Sequence, residues 1–155
     1  MGTIKIGRIT RIALVSTLCL ALGLGALGAT PASAAHKSRR EQMLTLLNKA
    51  RTNRNIGRLH MHRTVARRAA GHSRDMAKRH RLFHTNPLAR QVRGLRWRIV
   101  GENVGVGSSV DGLHRAFMRS APHKHNVLNR SFDRVGIGFK TDSRGYQYVT
   151  LVFYG

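Results

Sequence analysis

Residues 135–154 read VGIGFKTDSRGYQYVTLVFY and carry the pattern that decides the fold class. In the first part, apolar residues alternate with Gly136 and Gly138, which predicts a strand with one apolar face and one face bare of side chains. Residues 146–154 are apolar or aromatic on both faces, as in a central strand that is covered on both sides. Ser143-Arg144-Gly145 between them has the composition of a hairpin turn. The stretch therefore predicts an antiparallel hairpin whose glycine face receives a closely packed element.

Helical patterns dominate the first half of the chain. At 100° per residue, residues 63–81 place an alanine-rich arc on one side, which predicts close packing against another element. The opposite side carries a basic stripe of Arg63, Arg67, Arg74, Lys78 and Arg81. A second helical pattern covers residues 40–54 and stops at the turn residues 55–57.

The middle of the chain predicts one more strand and a short helix. Residues 99–106 have the composition of a strand, and Ser108-Ser109 can cap a helix directly after it. Ala121-Pro122 should end that helix, and residues 123–128 should form a further helical turn. Helices followed by an antiparallel sheet predict an α+β fold built in layers.

The charge of the chain limits its partners. The 155 residues include 28 Lys and Arg against 6 Asp and Glu, a formal net charge of +22. This excludes an acidic disordered tail and disfavours a cationic partner. The hydrophobic share of 41% is ordinary for a globular protein, and the length fits one domain.

Residues 1–34 have the three parts of a secretory signal peptide. Three basic residues come first, an apolar run covers residues 12–28, and Ala32-Ser33-Ala34 supplies a small-residue cleavage site. An uncleaved membrane anchor is the alternative, although the run is short for a hydrocarbon core of about 30 Å.

Cleavage after Ala34 would leave residues 35–155 as one domain, with its core over about residues 42–154. The leader carries three of the basic residues, so the mature charge would be +19 instead of +22. It also carries Cys19, the only cysteine, so the mature chain could form no disulfide, zinc–thiolate site or cysteine nucleophile. We predict a secreted extracellular monomer with no transmembrane segment in the mature chain.

Glu102 is the acidic residue with the most unusual position. Alternation along residues 100–106 places it on the same strand face as Val100 and Val104. A carboxylate on an apolar face is costly unless it is paired, hydrogen-bonded or bound to a cation. A glycine-induced bulge that turns Glu102 to solvent, a salt bridge to one of the arginines and a functional carboxylate all remain open.

Histidines are the other candidate ligands. His84 follows the alanine-rich helix, and His123 lies just beyond the end of a predicted helix. The pairs His60-x-His62 and His123-x-His125 resemble metal-binding spacings, but His60 and His62 are predicted to be surface residues. The sequence contains no phosphate-binding glycine loop, no HExxH motif and no Gly-x-Ser-x-Gly motif.

Four segments in order resemble one family. They are FHTNP at 83–87, GENV at 101–104, FMRSAPHKHNVL at 117–128 and VGIG at 135–138. Together with the signal peptide they resemble a bacterial secreted SCP-like domain of the CAP superfamily (cysteine-rich secretory proteins, antigen 5 and pathogenesis-related protein one). The resemblance covers nearly all of the predicted mature chain.

The resemblance implies an α-β-α sandwich with a three-stranded antiparallel sheet between helices. It also implies a cleft in which His84, Glu102 and His123 meet, and it therefore favours the functional interpretation of Glu102. Two imidazoles and one carboxylate suit a divalent metal, with zinc favoured, whereas calcium or magnesium would require more oxygen ligands and stays open.

Three positions depart from the family pattern. Ser120 falls near the place of a second cleft glutamate that many members have, which puts a four-residue constellation in doubt. Phe117 replaces a usual tryptophan, and Pro122 stands where glycine is common before the second histidine.

Three functions follow from these observations. The first is a non-enzymatic extracellular binding module with a metal cleft and a basic surface for anionic cell-envelope ligands. The second is a metal-assisted hydrolase, in which Glu102 or a metal-bound water acts as base and Ser120 orients the substrate. The third is a cationic protein whose basic stripe binds polyanions such as cell-wall polymers or lipid headgroups. Sequence-specific nucleic-acid binding is not expected, because Trp97 and the scattered tyrosines form no stacking platform.

Overall fold

Four α-helices and four β-strands form within residues 37–155, the part of the chain that the computed structural model describes. The predicted signal peptide and its cleavage site lie outside these residues. The helices are α1 Arg39–Thr52, α2 Arg63–Arg79, α3 Val110–Arg119 and α4 Ala121–Leu128, with a 3-10 helix at Leu88–Val92. The strands are β1 His60–Met61, β2 Val100–Gly107, β3 Arg134–Thr141 and β4 Gln147–Tyr154.

The sheet has the order β1-β3-β4-β2, so β4 is the predicted central strand. Both of its neighbours, β3 and β2, run antiparallel to it. The prediction of three strands was wrong by one, because β1 adds a short parallel pair beside the start of β3. The backbone N–H groups of His60 and His62 donate to the carbonyls of Asp133 and Val135, at 2.9 and 2.8 Å. A strand of two residues is too short for an alternating pattern to reveal.

Helix α2 covers the bare glycine face of β3. A Cβ atom at Gly138 would overlap backbone atoms of Ala69 and Ala70, and one at Gly136 would meet Val65. Val65 and Ala69 are fully buried on this side of the sheet. The alanine-rich arc and the glycine face are therefore two halves of one close contact, which confirms both predictions.

Helices α1, α3 and α4 cover the other face of the sheet. Their buried side chains join those of β3 and β4 in one core: Met43, Leu47, Leu113, Phe117, Val127, Val135, Ile137 and Leu151. The Arg51 side chain ties α1 to this layer by donating hydrogen bonds to the carbonyls of Gly57, Val127, Asn129 and Phe132. The α+β class and the α-β-α sandwich are confirmed.

Two helix ends differ from the predictions. Helix α2 stops at Arg79 because His80 takes a left-handed conformation (φ 49°) at the cap. Arg81, predicted as part of the helical stripe, therefore lies in the following loop. Helix α3 ends before Ala121 as expected, but α4 begins at once with Pro122 in its first turn, where the missing N–H of proline leaves no hydrogen bond unmade. No helix in residues 37–155 is long and apolar enough to cross a membrane.

Candidate functional site

Glu102 lies in an unbroken part of strand β2. The register is continuous, with Glu102 opposite Val152, so no bulge turns the side chain away. Only 6% of the residue is exposed, and it shares the α2-facing side of the sheet with Val104, which is also buried. The alternation of the sequence therefore placed this side chain correctly.

The carboxylate of Glu102 is held by residues of one loop. The backbone N–H of Thr85 donates to Oε1 at 2.9 Å, and the Thr85 hydroxyl donates to Oε2 at 2.6 Å. His84 Nδ1 lies 2.9 Å from the same Oε1. Within residues 37–155 no arginine forms an ion pair with Glu102, so the arginine salt bridge left open by the sequence is not its partner.

His84 is oriented by this contact. An ionised carboxylate can only accept, so Nδ1 carries the proton and donates it to Glu102. The opposite nitrogen, Nε2, is then the one whose lone pair is available to a ligand. The side chain is 63% exposed, which leaves the imidazole accessible to solvent and solutes. A carboxylate behind a histidine is the arrangement that fixes the orientation of metal-binding histidines.

His123 lies in the first turn of helix α4. Its ring packs edge-on against Phe117, with the centroids 5.2 Å apart. Burial lowers the pKa of the His123 imidazole, and the nearby His84 lowers it further. The backbone carbonyl of His123 accepts from Asn103 Nδ2 at 3.0 Å, which fixes the start of α4 to strand β2.

Amide side chains support both histidines. Gln91 Nε2 donates to the Thr85 hydroxyl at 2.8 Å, so a chain of hydrogen bonds runs from the 3-10 helix through Thr85 to Glu102 and His84. Asn126 donates to the side chain of Asn103 and to the carbonyl of Glu102. The sequence interpretation gave these four amide and hydroxyl residues no role. Thr85, Asn103 and Asn126 lie inside the quoted motifs, but no pattern pointed to Gln91.

The donor set limits how a metal could be held. Residues 37–155 contain no group of three or more His, Cys, Asp and Glu side chains arranged to hold an ion. Both oxygens of Glu102 are already hydrogen-bonded to Thr85 and His84. The imidazole nitrogens of His84 and His123 that form no hydrogen bond within residues 37–155 are therefore the remaining candidate donors, and metal binding by them is a prediction. Direct ligation by Glu102 stays a prediction.

The other predicted residues lie elsewhere on the molecule. Ser120 is half-buried between α3 and α4, and its hydroxyl forms no hydrogen bond within residues 37–155. Of the basic stripe, Arg63, Arg67, Arg74 and Lys78 are exposed on α2. Arg81 lies in the loop, with its guanidinium 5.8 Å from the centre of the Phe83 ring.

The α-β-α sandwich relates this chain to a known class of protein. A family model for CAP, the cysteine-rich secretory protein family, matches residues 44–153. The chain belongs to the CAP family.

Relatives with this fold come from several bacteria. The chain is 24% identical over 106 residues to the YkwD protein of Bacillus subtilis (strain 168), a match that covers 64% of this chain and 41% of YkwD. It is similar to an outer surface protein from Borrelia burgdorferi, with a TM-score of 0.70, 16% identity, and 76% and 92% of the two chains covered. It is also similar to an extracellular protein containing a SCP domain from Bacillus anthracis str. Ames, with a TM-score of 0.63, 25% identity, and 73% and 39% covered. The chain thus spans less than half of the length of two of these relatives.

Proposed function

We propose that this chain is an extracellular, non-enzymatic binding module whose cleft holds a divalent metal through His84 and His123. The observation that carries the proposal is the hydrogen bond from His84 Nδ1 to Glu102 Oε1, at 2.9 Å, in a network that also engages the second carboxylate oxygen. These hydrogen bonds restrict the rotation of the exposed His84 side chain. They leave its Nε2 directed away from the carboxylate. A ligand that needs a preset nitrogen lone pair explains such an arrangement.

Zinc is the metal that this site suits best. Neutral imidazole nitrogens are among its preferred ligands, whereas calcium and magnesium take mostly oxygen. A bound zinc ion would offer open coordination positions to an oxygen or nitrogen atom of the ligand. Glu102 would act on the metal through His84, and Thr85 and Gln91 would keep Glu102 in place.

The hydrogen bonds to the Glu102 carboxylate also favour binding over catalysis. A general base needs a carboxylate oxygen or imidazole nitrogen within reach of the attacking group. Glu102 has both oxygens engaged, the Ser120 hydroxyl forms no hydrogen bond within residues 37–155, and no hydroxyl there is hydrogen-bonded to the free Nε2 of His84. No observation specifically favours the hydrolase alternative.

An extracellular location is supported from two sides. The sequence of residues 1–34 has the grammar of a signal peptide, and residues 35–155 contain no cysteine that oxidation outside the cell could modify. The similar Bacillus anthracis protein is described as extracellular.

Crystals of the protein grown with zinc test the position of the metal. Anomalous scattering at the zinc edge should give a peak about 2 Å from Nε2 of His84 and from an imidazole nitrogen of His123. A peak only at His60 and His62, or none at any histidine, would contradict the proposed cleft site.

The basic stripe supports a second binding function, for a polyanion of the cell envelope. Arg63, Arg67, Arg74 and Lys78 are exposed, and none forms an ion pair within residues 37–155. Guanidinium groups suit phosphate oxygens, and a helix holds these four groups on one side.

The salt dependence of the binding constant tests whether the basic stripe binds a polyanion. The logarithm of the binding constant for a teichoic acid should fall linearly with the logarithm of the salt concentration. Arg67→Gln/Arg74→Gln should reduce the slope of this line by about 1 per lost contact. Lys49→Gln/Arg58→Gln removes the same charge from the α1 side of the molecule and should leave most of the slope. A flat slope in the unsubstituted protein would reject polyanion binding.

A further inference from the structure

We infer that residues 93–99, here called the Trp97 segment, form a docking surface for an anionic lipid bilayer. The segment reads RGLRWRI and lies between the 3-10 helix and strand β2. It is separate from the basic stripe on α2, and the inference does not depend on a metal in the cleft.

Two large apolar side chains of the segment are exposed. Trp97 is 39% exposed and Ile99 is 36% exposed. The other exposed large hydrophobic residues of the described chain, Leu82, Val106 and Tyr146, are isolated from one another in the sequence. An exposed tryptophan and an exposed isoleucine two positions apart suit the boundary of a bilayer, where the indole ring is favoured at headgroup level and the aliphatic chain can enter the acyl region.

Arginines without an ion pair flank these two residues in the sequence. Arg90, Arg93, Arg96 and Arg98 are all exposed, and their guanidinium groups form no ion pair or hydrogen bond within residues 37–155. The sequence has no acidic residue from position 88 to position 101. Two acidic residues from elsewhere in the chain lie on this side: Asp75 lines a surface hollow with Arg90 and Arg93, and Asp133 lines one with Arg96 but pairs with Arg134 at 3.4 Å. Three free guanidinium groups in the Trp97 segment, with Arg90 just before it, are available to headgroup phosphates.

The backbone of the segment is fixed at both ends. Leu95 packs inwards against the buried cluster that includes Val92 and Tyr154. The N–H groups of Arg98 and Ile99 donate to the carbonyl of Gly155 at 2.7 and 3.2 Å, and the N–H of Gly155 donates to the carbonyl of Ile99. Little backbone freedom would therefore be lost on docking, which lowers the entropic cost of binding.

The mixed chemistry selects a bilayer over a soluble polyanion. A teichoic acid or a nucleic acid can neutralise the arginines, but it offers no apolar phase to cover Ile99. A lone tryptophan also forms no platform for stacked bases. An anionic bilayer supplies phosphates and an apolar layer within the reach of the same segment.

Trp97 is the only tryptophan in the chain, so its fluorescence reports on this segment without a label. Vesicles of phosphatidylglycerol and phosphatidylcholine should shift the emission of the full chain to shorter wavelength, and vesicles of phosphatidylcholine alone should not. Arg96→Gln/Arg98→Gln should weaken vesicle binding, measured by sedimentation, roughly 25-fold, from about fivefold per arginine. Ile99→Ser should reduce the shift while the protein keeps its thermal unfolding midpoint.

Arg67→Gln/Arg74→Gln is the matched control, because it removes two charges from the basic stripe. It should weaken vesicle binding far less than Arg96→Gln/Arg98→Gln. Equal losses in the two variants, binding without a change in Trp97 emission, or no binding to the anionic vesicles would each overturn the inference. The same emission shift with soluble teichoic acid would overturn it in favour of a polyanion site. Addition of EDTA should change none of these results, which separates this test from that of the metal cleft.

Discussion

Gly138→Ala is expected to lower the free energy of unfolding by about 3 kcal/mol or more, as overpacking of a closely packed contact does. The added methyl group would meet backbone atoms of Ala69 and Ala70, which cannot rotate away as a side chain can. Helix α2 would have to move outwards from strand β3. That movement would also strain the hydrogen bond from the Ser73 hydroxyl to the Gly138 carbonyl, now 3.0 Å, and its 2.9 Å contact with Thr150.

Gly71→Ala is the control, with the opposite expected sign. Gly71 lies in helix α2, and a Cβ atom there would meet nothing within 4 Å. Alanine favours the helix and restricts the unfolded chain, so this variant should gain about 0.5–1 kcal/mol. Urea unfolding of both variants beside the unsubstituted protein measures the two effects. A Gly138→Ala protein as stable as the unsubstituted one would contradict the close contact between α2 and β3.

The layers of the fold could be predicted because each layer has a periodic pattern of residue types in the sequence. Glycines at alternate positions in β3 and small residues at helical spacing in α2 are complementary signals, and together they fix which surfaces meet. The short strand β1 could not be predicted, because two hydrogen bonds from His60 and His62 to backbone carbonyls define it and no side-chain pattern does. The end of α2 at Arg79 could not be predicted either, because it depends on the left-handed conformation of His80.

The sequence indicated which residues to consider for the candidate site, but it gave less information about the contacts between them. Strand alternation placed Glu102 on the buried side, and the resemblance selected His84 and His123 from nine histidines. The partners of Glu102 are Thr85 and His84, which lie in an irregular loop 17 and 18 residues away. Loop residues meet a strand only through the tertiary fold, so periodicity carries no information about that contact.

The charge of the chain divides into regions with different proposed roles. The stripe on α2 presents cations alone, whereas the Trp97 segment combines cations with exposed apolar side chains. The surroundings of Glu102 and His123 are held mainly by neutral groups, since amide and hydroxyl side chains contact Glu102, Asn103 and the start of α4. The excess charge is therefore not the feature that positions the candidate metal ligands, and we propose that it acts on large anionic partners.

Metal binding should be lost when both cleft histidines are removed. His84→Ala/His123→Ala deletes the two imidazoles that we propose as ligands, and the affinity for zinc should fall by more than about 100-fold, since even substitutions behind a ligand cost 10–100-fold. Glu102 keeps its hydrogen bonds to Thr85 in this variant, so the fold should be retained. His60→Ala/His125→Ala removes two exposed histidines instead and serves as the matched control.

Calorimetric titration of zinc into these three proteins, after elemental analysis of the purified unsubstituted protein, measures metal binding by His84 and His123. We expect one zinc site in the unsubstituted protein, the same site in His60→Ala/His125→Ala, and its loss in His84→Ala/His123→Ala with thermal unfolding unchanged. An unsubstituted protein that binds no zinc, or a His84→Ala/His123→Ala protein that binds it with full affinity, would contradict a metal site formed by His84 and His123.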